Sequence, residues 1–391
     1  MTYRDLPFEV EDLSEGSDDY RINPEDFRDL FVIPSDWTLS TLRREMSDII
    51  DLDPEFQRRS VWTVRAKSRF IESLALGIPI PQILLAESRD DRGRYLVLDG
   101  KQRLLTILEF FEGKFWDGKE FRLSGLDDLP DLNRKNWFEV SEQLPDLARS
   151  IEAAQIRTAI IRGWRSDDVL YEIFHRLNSG SVGLSPMELR MALIRGPFIR
   201  AIVQETSRRS SVHDLLRLSQ PDKRMRDVEL VIRHMAFSDG RVQYKGNLKK
   251  FLDEFCMLKN KEFDRGSDIA DLSRLESAIG VGLHVFGHER FCRKYISEKG
   301  RYESQFNRAI FDVLSGSLVS EEVARKAQGD PNGFVAAYED ACAIPEFRRS
   351  VEVTTKSVTA TTSRFKIWFE MLNDRFGVNL NIPNIAHAAN G

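Results

Sequence analysis

Residues 83–112 carry the clearest pattern of apolar and polar positions in the chain. Two short apolar runs, Ile83–Ala86 and Tyr95–Leu98, are separated by a charged turn and predict two strands that pair as a hairpin. The second run stops at Asp99-Gly100, a dipeptide that interrupts extended structure. Apolar residues then recur at the spacing of a helix, at Leu104, Leu105, Ile107 and Leu108. The pattern therefore predicts a hairpin whose second strand leads directly into a helix.

Similar runs on either side predict further strands. They lie at Leu30–Ile33, where Pro34 should end the strand, at Ile49–Leu52 and at Gln155–Ile161. Apart from the last of these strands, residues 114–165 predict a mixture of short strands and turns.

Two helices are predicted before the hairpin. One should begin at Thr38 or Ser40 and run to about Asp48, and the other should cover 63–76 with Gly77 at its C-terminal cap. Ile78-Pro-Ile-Pro81 must be extended, because each proline fixes its own φ and biases the residue before it. Strands and helices therefore alternate through this part of the chain.

From Ser166 onwards the pattern is almost entirely helical. The predicted helices are Asp168–Leu177, Ser185–Ile194, Phe198–Thr206, Asp227–Phe237, Leu248–Leu258, Ser273–Phe286, Glu303–Leu314, Glu321–Ala327 and Ser363–Phe376. We therefore predict an α+β protein. Its three segments would be an acidic N-terminal arm with the first strand at residues 1–35, an α/β domain at 36–200, and an α-helical C-terminal domain at 201–391.

Composition places the chain among ordinary globular proteins. Of its 391 residues 41% are hydrophobic and 30% are charged. The three cysteines lie far apart without metal-ligand spacing, so we expect reduced, buried thiols. No apolar run approaches the roughly 18 residues of a membrane span, and the acidic N-terminus does not resemble a secretory signal. We therefore expect a cytoplasmic protein without a membrane partner.

The net charge of −5 conceals two regions of opposite sign. Residues 1–55 hold sixteen Asp and Glu against five Lys and Arg, whereas residues 190–250 hold fourteen Lys and Arg against six Asp and Glu. The basic segment can pair with the acidic arm, face nucleic acid, or form a solvated surface. These three alternatives stay open at this point.

The turn Asp99-Gly-Lys-Gln-Arg103 is the first candidate for chemistry. A helix that follows a strand directly presents N–H groups and a positive dipole end, which favour an anion. Lys101 and Arg103 bring cationic donors to the same place, and Asp99 can cap the helix or help to hold a metal. The alternative is a capped strand-to-helix turn with surface charges.

Two other polar clusters lie outside this turn. Gln57-Arg58-Arg59 follows a predicted strand end, and Phe174-His-Arg176-Leu-Asn178-Ser-Gly180 ends a predicted helix. Ser185-Pro186 then has the order favoured at a helix start. Helix punctuation explains Asn178 and Gly180 but not the arginines, which suit a polyphosphate because guanidinium groups bind phosphate oxygens bidentately.

Other kinds of site find little support. The sequence lacks GxxxxGK[ST], so a P-loop is excluded. His284 and His288 stand four residues apart without the glutamate of an HExxH motif or a nameable third ligand, so we do not expect a zinc site. His213 and His234 are isolated, and we expect structural roles for them. No Ser/His/Asp arrangement is readable.

Taken together, these motifs resemble the DGQQR-motif family. The resemblance runs from about residue 36 to 255. That family includes the N-terminal domain of GmrSD-type (type IV) restriction enzymes and SspE-like defence proteins, and its fold is similar to that of ParB and sulfiredoxin. The matching motifs are Gln57-Arg58 with Trp62, Phe70-Ile-Glu-Ser73, Gly77–Pro81, Asp99–Arg103, Phe174–Gly180 with Leu184-Ser185, and Arg226–Arg233.

The resemblance implies a ParB-like domain that binds and hydrolyses a nucleoside triphosphate with Mg²⁺ or another divalent cation. Cleavage of foreign or modified DNA would be coupled to that activity. The implied catalytic residues are Asp99, which would also orient the metal or water, Gln102, and Arg103, which would stabilise phosphate charge. The implied nucleotide-binding residues are Gln57, Arg58, Gly100, Lys101, Arg176 and Asn178.

The sequence departs from the family in two respects. Lys101 stands where the family usually has its first glutamine, and no HNH nuclease signature is readable. The implied partners are therefore DNA, for which residues 190–250 are a candidate surface, and a nuclease encoded nearby; a homo-oligomer is also possible. Two alternatives are a non-catalytic nucleotide sensor and a DNA-binding adaptor that regulates a partner nuclease.

Overall fold

A computed structural model describes residues 23–52, 62–89, 91–177, 185–353 and 355–387. These residues fall into two compact units, one that ends at Leu193 and one that begins at Ile194. The first contains a β-sheet and the second is mainly helical. The predicted α+β class is thereby confirmed.

The N-terminal unit is built on a five-stranded mixed sheet with strand order β1-β5-β3-β4-β2. The strands are β1 (Phe31–Thr38), β2 (Ile50–Asp51), β3 (Ile83–Glu87), β4 (Tyr95–Asp99) and β5 (Gln155–Arg162). The helices are α1 (Leu39–Asp48), α2 (Val64–Ala75), α3 (Lys101–Glu112), α4 (Trp137–Gln143), α5 (Pro145–Ala153), α6 (Asp167–Leu177) and α7 (Pro186–Leu193). β3 pairs antiparallel with β4 and parallel with β5.

Strands β3 and β4 are apolar except at their last residues, because both faces of the sheet are covered there. In β3, Ile83 and Leu85 belong to one core cluster, and Leu84 and Ala86 belong to another on the opposite face. Successive side chains of a strand point to opposite faces, so a strand between two layers has no polar side. This explains why the hairpin was readable from the sequence as two continuous apolar runs.

The first strand is longer than predicted. Pro34 should have ended it, but β1 continues to Thr38, and Pro34 pairs with Ala159 of β5. β1 lies at the edge of the sheet, where proline is tolerated because one side of the strand needs no ladder hydrogen bond. Thr38 then caps α1 as predicted, since its hydroxyl accepts a hydrogen bond from the backbone N–H of Thr41.

The prediction of short strands and turns between residues 114 and 165 was wrong in part. α4 and α5 occupy this segment instead. The helix signals are present: Asn136 and Glu139 form a capping box, and Pro145 is the first residue of α5. Short helices give too few turns for a periodic apolar pattern to stand out, and the loops around them obscured it.

The C-terminal unit consists mainly of helices. They are α8 (Pro197–Glu205), α9 (Ser211–Leu215), α10 (Arg226–Asp239), α11 (Leu248–Lys261), α12 (Arg265–Phe286), α13 (Arg308–Leu318), α14 (Glu321–Gly329), α15 (Pro331–Ala343), α16 (Pro345–Glu352) and α17 (Val358–Phe376). A two-stranded ribbon, β6 (Tyr295–Ile296) and β7 (Arg301–Tyr302), precedes α13. α9, α15, α16 and the ribbon were not predicted.

Buried charges link the helices of this unit. Asp312 of α13 accepts two hydrogen bonds of 2.6 Å from the guanidinium of Arg233 in α10 and one of 3.1 Å from Arg364 in α17. All three side chains are at least nine-tenths buried. A buried carboxylate shared by two arginines fixes the relative position of three helices.

The three cysteines, Cys256, Cys292 and Cys342, are free and buried, as predicted. Among the helices of the described residues, none combines the length and the apolar character needed to cross a membrane.

Candidate functional site

The turn between β4 and α3 depends on a glycine. Gly100 is the N-cap residue of α3 and has φ +93°, a left-handed conformation that L side chains rarely adopt. A Cβ atom at this position would lie 2.9 Å from Cγ1 of Ile83. Both the backbone conformation and the close approach of β3 therefore require glycine, and they fix the direction in which the strand enters the helix.

Asp99 and Arg103 are held together across this turn. One carboxylate oxygen of Asp99 accepts the N–H of Gly100 at 2.7 Å, and the other accepts Nη2 of Arg103 at 2.9 Å. A third of the Asp99 side chain is exposed. Asp99 is therefore an oriented, accessible carboxylate rather than the N-cap residue of α3.

The remaining donors of Arg103 are directed at the chain that precedes β3. Nη1 donates to the carbonyl oxygens of Pro81 and Gln82, the latter at 3.1 Å, and the arginine is 8% exposed. In this arrangement Arg103 positions Asp99 and the Pro81–Gln82 backbone. Its implied contact with phosphate charge stays a prediction.

Lys101 lies in the first turn of α3 beside an acidic residue of α7. Its Nζ atom is 3.9 Å from Oε1 of Glu188, and the two side chains are 9% and 6% exposed. Glu188 also accepts the backbone N–H of Ser185 at 2.6 Å, and its own N–H donates to the Ser185 hydroxyl at 3.1 Å. The predicted helix start at Ser185-Pro186 is thus confirmed, and its capping box adjoins Lys101.

Gln102 connects the turn to a different part of the unit. Its Oε1 atom accepts the backbone N–H of Trp62 at 3.3 Å. Trp62 follows residues 53–61, and Ser185 follows residues 178–184. Trp62 therefore contacts the first turn of α3 directly, and Ser185 is linked to it through Glu188. The sequence predicted one shared site at this turn.

Three of the predicted site residues lie outside the described residues, namely Gln57, Arg58 and Asn178. Arg176, at the C-terminal end of α6, is described and exposed, and its Nε atom is 2.5 Å from Oε1 of Glu172. The structure thus brings Asp99, Gly100, Lys101, Gln102 and Arg103 together. The other four assignments stay predictions.

A buried ion pair supports the far side of α3. Lys67 of α2 donates to Glu109 of α3, and its Nζ atom lies 5.1 Å from the ring centroid of Phe115. Burial raises the pKa of Glu109 above its ordinary value, and the hydrogen bond from Lys67 opposes this effect. The pair ties α2 to α3.

The donor set at the turn fits a metal only in a restricted way. Within the described ranges, no group of three or more His, Cys, Asp or Glu side chains is placed to hold a metal ion. Mg²⁺ often binds one or two carboxylates and completes its shell with water and substrate phosphates. Asp99, which is exposed and retains unused lone pairs, suits that kind of ligation.

The basic segment at residues 190–250 presents fewer charges than its sequence suggests. Arg190, Arg233 and Lys249 are buried, and the last two are paired with Asp312 and Asp253. The exposed cations of the segment are Arg195, Arg200, Arg208, Arg209, Arg217, Lys223, Arg241, Lys245 and Lys250. A nucleic-acid surface in this segment would depend on this second group.

One Ser/His/Asp arrangement was missed by the sequence analysis. His213 accepts the backbone N–H of Ser210 at Nδ1, at 3.0 Å, and Nε2 lies 3.0 Å from Oδ2 of Asp227. The histidine is fully buried and forms the capping box of α9. The Ser210 hydroxyl also lies 3.2 Å from Nδ1, but the Ser210 backbone N–H donates to the same nitrogen, so the group caps a helix rather than activates a nucleophile. The sequence offered no signal, since Asp227 is in another helix.

The N-terminal unit is thus an α/β domain with an Asp-Gly-Lys turn at a helix N-terminus. Residues 39–195 match the family model of the N-terminal domain of the GmrSD restriction endonuclease. The predicted resemblance to this domain is confirmed over these residues. No curated protein and no solved structure matches the chain.

Proposed function

We propose that the protein binds a nucleoside triphosphate at the turn formed by Asp99–Arg103 and hydrolyses it with a divalent cation. Nucleotide state would control cleavage of foreign or modified DNA in a restriction-type defence system. The observation that carries the proposal is the meeting of three chain segments at the first turn of α3, inside the segment that matches the GmrSD N-terminal domain.

Each residue of the turn has a role that its contacts support. Asp99 is fixed by Gly100 and Arg103 and remains accessible, so it suits a metal ion or an attacking water. Lys101 places its backbone N–H at a helix N-terminus, where the dipole favours phosphate, while its side-chain ammonium faces Glu188. Gln102 couples the site to residues that follow 53–61, where Gln57 and Arg58 would complete the pocket.

The cation would be held by Asp99 together with the phosphates of the nucleotide. When bound, it would neutralise charge on the transferred phosphoryl group. The protein's own contribution is to orient the carboxylate, since the bonds from Gly100 and Arg103 occupy one lone pair on each oxygen.

The test is phosphate release from a panel of nucleoside triphosphates, with and without DNA. We expect release by the wild-type protein and a loss of about 100-fold in Asp99→Asn. Asp91→Asn is the matched control, because Asp91 is an exposed aspartate at the opposite end of the same hairpin. Release from no nucleotide, or an Asp99→Asn rate equal to that of the control, would contradict the proposal.

A second candidate is a nucleotide sensor without turnover. It is favoured by the contacts of Arg103, whose guanidinium is directed at Pro81, Gln82 and Asp99 rather than at an open pocket. Nucleotide binding that depends on Asp99 but yields no phosphate would support this candidate. DNA cleavage would then reside in a partner nuclease.

A further inference from the structure

The helical unit contains an open cavity of about 390 Å³ that none of the predicted functions uses. It lies between α10, α13, α17 and the C-terminal residues 381–384. A second cavity of about 220 Å³ adjoins it, since both are lined by His234, Ser238 and Val319. We call the larger cavity the His234 cleft. Its size falls in the range of small-molecule sites.

One side of the cleft is aromatic. Phe237, Phe365 and Phe369 line it, and the ring centroid of Phe365 is 5.5 Å from that of each of the other two. Gly316 of α13 also lines the cleft, and a Cβ atom there would be 3.5 Å from Phe365. The missing side chain at Gly316 leaves space beside these rings, which suits an apolar or aromatic group that packs against them.

The hydroxyl of Ser238 also lines the cleft, and its proton is donated to His234. The Ser315 hydroxyl donates to the carbonyl of Phe311 at 2.7 Å, so Nδ1 of His234 must donate to Ser315 across their 3.0 Å contact. Nε2 of His234 is then an acceptor and receives the Ser238 hydroxyl at 3.3 Å. The oxygen of Ser238 is therefore held in one orientation and can accept a hydrogen bond from a ligand in the cleft.

Two asparagines stand at the rim. Asn384 is anchored, because its amide nitrogen donates to the carbonyl of Gly240 at 2.9 Å. Asn381 is exposed. Its amide can donate and accept at once, which is the capacity needed to recognise the edge of a heterocycle.

The acidic residue that lines the cleft does not give it a net negative charge. Asp312 lines the cleft, but its carboxylate accepts hydrogen bonds from both Arg233 and Arg364. The two guanidinium groups together carry more charge than the carboxylate, so Asp312 does not attract a cation to the cleft. The groups that can recognise a ligand are then the three phenylalanine rings, the Ser238 hydroxyl and the amide of Asn381.

Catalysis by Ser238 is less well supported than binding. Burial lowers the pKa of His234 to about 4, so Nε2 is a weak base at neutral pH. In addition, Nδ1 donates to a hydroxyl rather than to the carboxylate that usually orients a catalytic histidine. The pair positions a hydroxyl group without activating it.

We propose that the His234 cleft binds a planar, uncharged heteroaromatic ring of nucleobase size. The ring would pack against Phe365 and its two neighbours, and its polar edge would meet Ser238 and Asn381. A free nucleoside and a base turned out of a DNA strand share this chemistry. The cleft belongs to the helical unit and is separate from the turn at Asp99–Arg103.

The test titrates the full chain by calorimetry with the four nucleosides and with single-stranded and duplex oligonucleotides. We expect binding that weakens by about tenfold in Asn381→Ala and in Ser238→Phe, which fills the cleft. Asn332→Ala is the matched control, because Asn332 is an exposed asparagine of α15 away from the cleft. Circular dichroism establishes whether each variant is folded. If Ser238→Phe does not fold, Asn381→Ala, at an exposed position, still provides the test.

The probes separate the two sources of the ring. Sensitivity to Asn381→Ala with free nucleosides identifies a nucleoside site, and sensitivity with single-stranded DNA alone identifies a site for an extruded base. The proposal is overturned if no probe binds at about 1 mM, or if the cleft variants bind every probe as tightly as Asn332→Ala does.

Discussion

Nζ of Lys101 lies 3.9 Å from Oε1 of Glu188, and both side chains are almost fully buried. Lys101 is the residue at which this turn differs from the DGQQR motif that the sequence resembles. Glu188 also accepts the N–H of Ser185 at the start of α7, so the lysine adjoins the helix that follows residues 178–184. The positive charge of Lys101 therefore has an acidic neighbour, Glu188, within the same unit.

We expect Glu188→Gln to lower the free energy of unfolding by about 3 kcal/mol, because it removes an acidic neighbour from a buried ammonium group. Glutamine can still accept the Ser185 N–H, so the helix cap is retained. The double variant Lys101→Gln/Glu188→Gln should recover most of the loss, since it removes both charges. Urea unfolding of the wild-type protein, Lys101→Gln, Glu188→Gln and the double variant gives the coupling energy.

Additive effects of the two substitutions would contradict this interpretation. Glu142→Gln is a suitable control, because Glu142 is an exposed glutamate of α4 and should change stability by no more than about 0.5 kcal/mol.

Gly100→Ala should destabilise the protein by about 2–3 kcal/mol, because it combines a left-handed φ with a contact of 2.9 Å to Ile83. Gly93→Ala is the matched control. Gly93 has φ +87°, but a Cβ atom there would meet nothing within 4 Å, so only the backbone cost of about 1 kcal/mol should appear. Equal losses in thermal unfolding would show that β3 does not press against the turn.

The free energy of unfolding should fall as the pH is lowered through the range in which His234 is neutral in the folded protein but protonated in the unfolded chain. The folded pKa is about 4, because burial disfavours the imidazolium, whereas an unfolded histidine has a pKa near about 6.5. Below pH ~6.5 the unfolded chain binds a proton at His234 and the folded chain does not, so lowering the pH stabilises the unfolded state. Between pH 7.5 and 5.0 we expect a loss of about 2 kcal/mol from this residue.

The measurement compares urea unfolding at those two pH values in wild-type protein and His234→Asn. The variant should be less stable at both values but should lose less between them. His288→Asn, at an exposed histidine, should keep the wild-type difference. A pH difference unchanged in His234→Asn would mean that the histidine is not held neutral by burial.

If residues 190–250 bind DNA, their exposed cations should carry the salt dependence. Arg208→Gln and Lys223→Gln should each weaken binding and reduce the slope of log K against log salt by about 0.9 for each phosphate that the side chain neutralises in the wild-type protein. Lys366→Gln is the control, because Lys366 is exposed on α17 outside this segment. Fluorescence anisotropy with labelled duplex between low and moderate salt measures the slopes, and identical slopes in all four proteins would exclude the segment.

The elements of the sheet were predictable because their signals are local. Two buried strands read as apolar runs, and Thr38, Gly77 and Ser185-Pro186 marked helix ends. The continuation of β1 past Pro34 was not predictable, because it depends on an edge position that only the assembled sheet defines. Likewise, α9 and α16 are too short for helical periodicity to be read from them.

The candidate site was predictable as a set of residues but not as a set of contacts. The motif identified Asp99 and Arg103, yet the carbonyls of Pro81 and Gln82 that Arg103 binds are backbone atoms with no sequence signature. The Lys101–Glu188 pair joins residues far apart in the chain. The His234 cleft likewise depends on helices whose packing no local pattern specifies.

The contacts of Arg103 lead to a last prediction, which separates positioning from direct contact with phosphate. Lysine keeps the charge but cannot hold two carbonyls and a carboxylate in the fixed geometry of a guanidinium. Arg103→Lys should therefore lower the free energy of unfolding by about 3 kcal/mol and weaken nucleotide binding together with it, because Asp99 loses its orientation. Arg94→Lys, at an exposed arginine of the same hairpin, should change neither.

Urea unfolding and calorimetric titration of the three proteins provide the two readouts. Loss of phosphate release in Arg103→Lys with wild-type stability and wild-type nucleotide affinity would contradict the positioning role. It would mean that the guanidinium leaves Pro81 and Gln82 to act on the phosphate itself. Parallel losses in stability and affinity would instead mean that Arg103 acts through Asp99, which makes that carboxylate the group that meets the nucleotide and its metal.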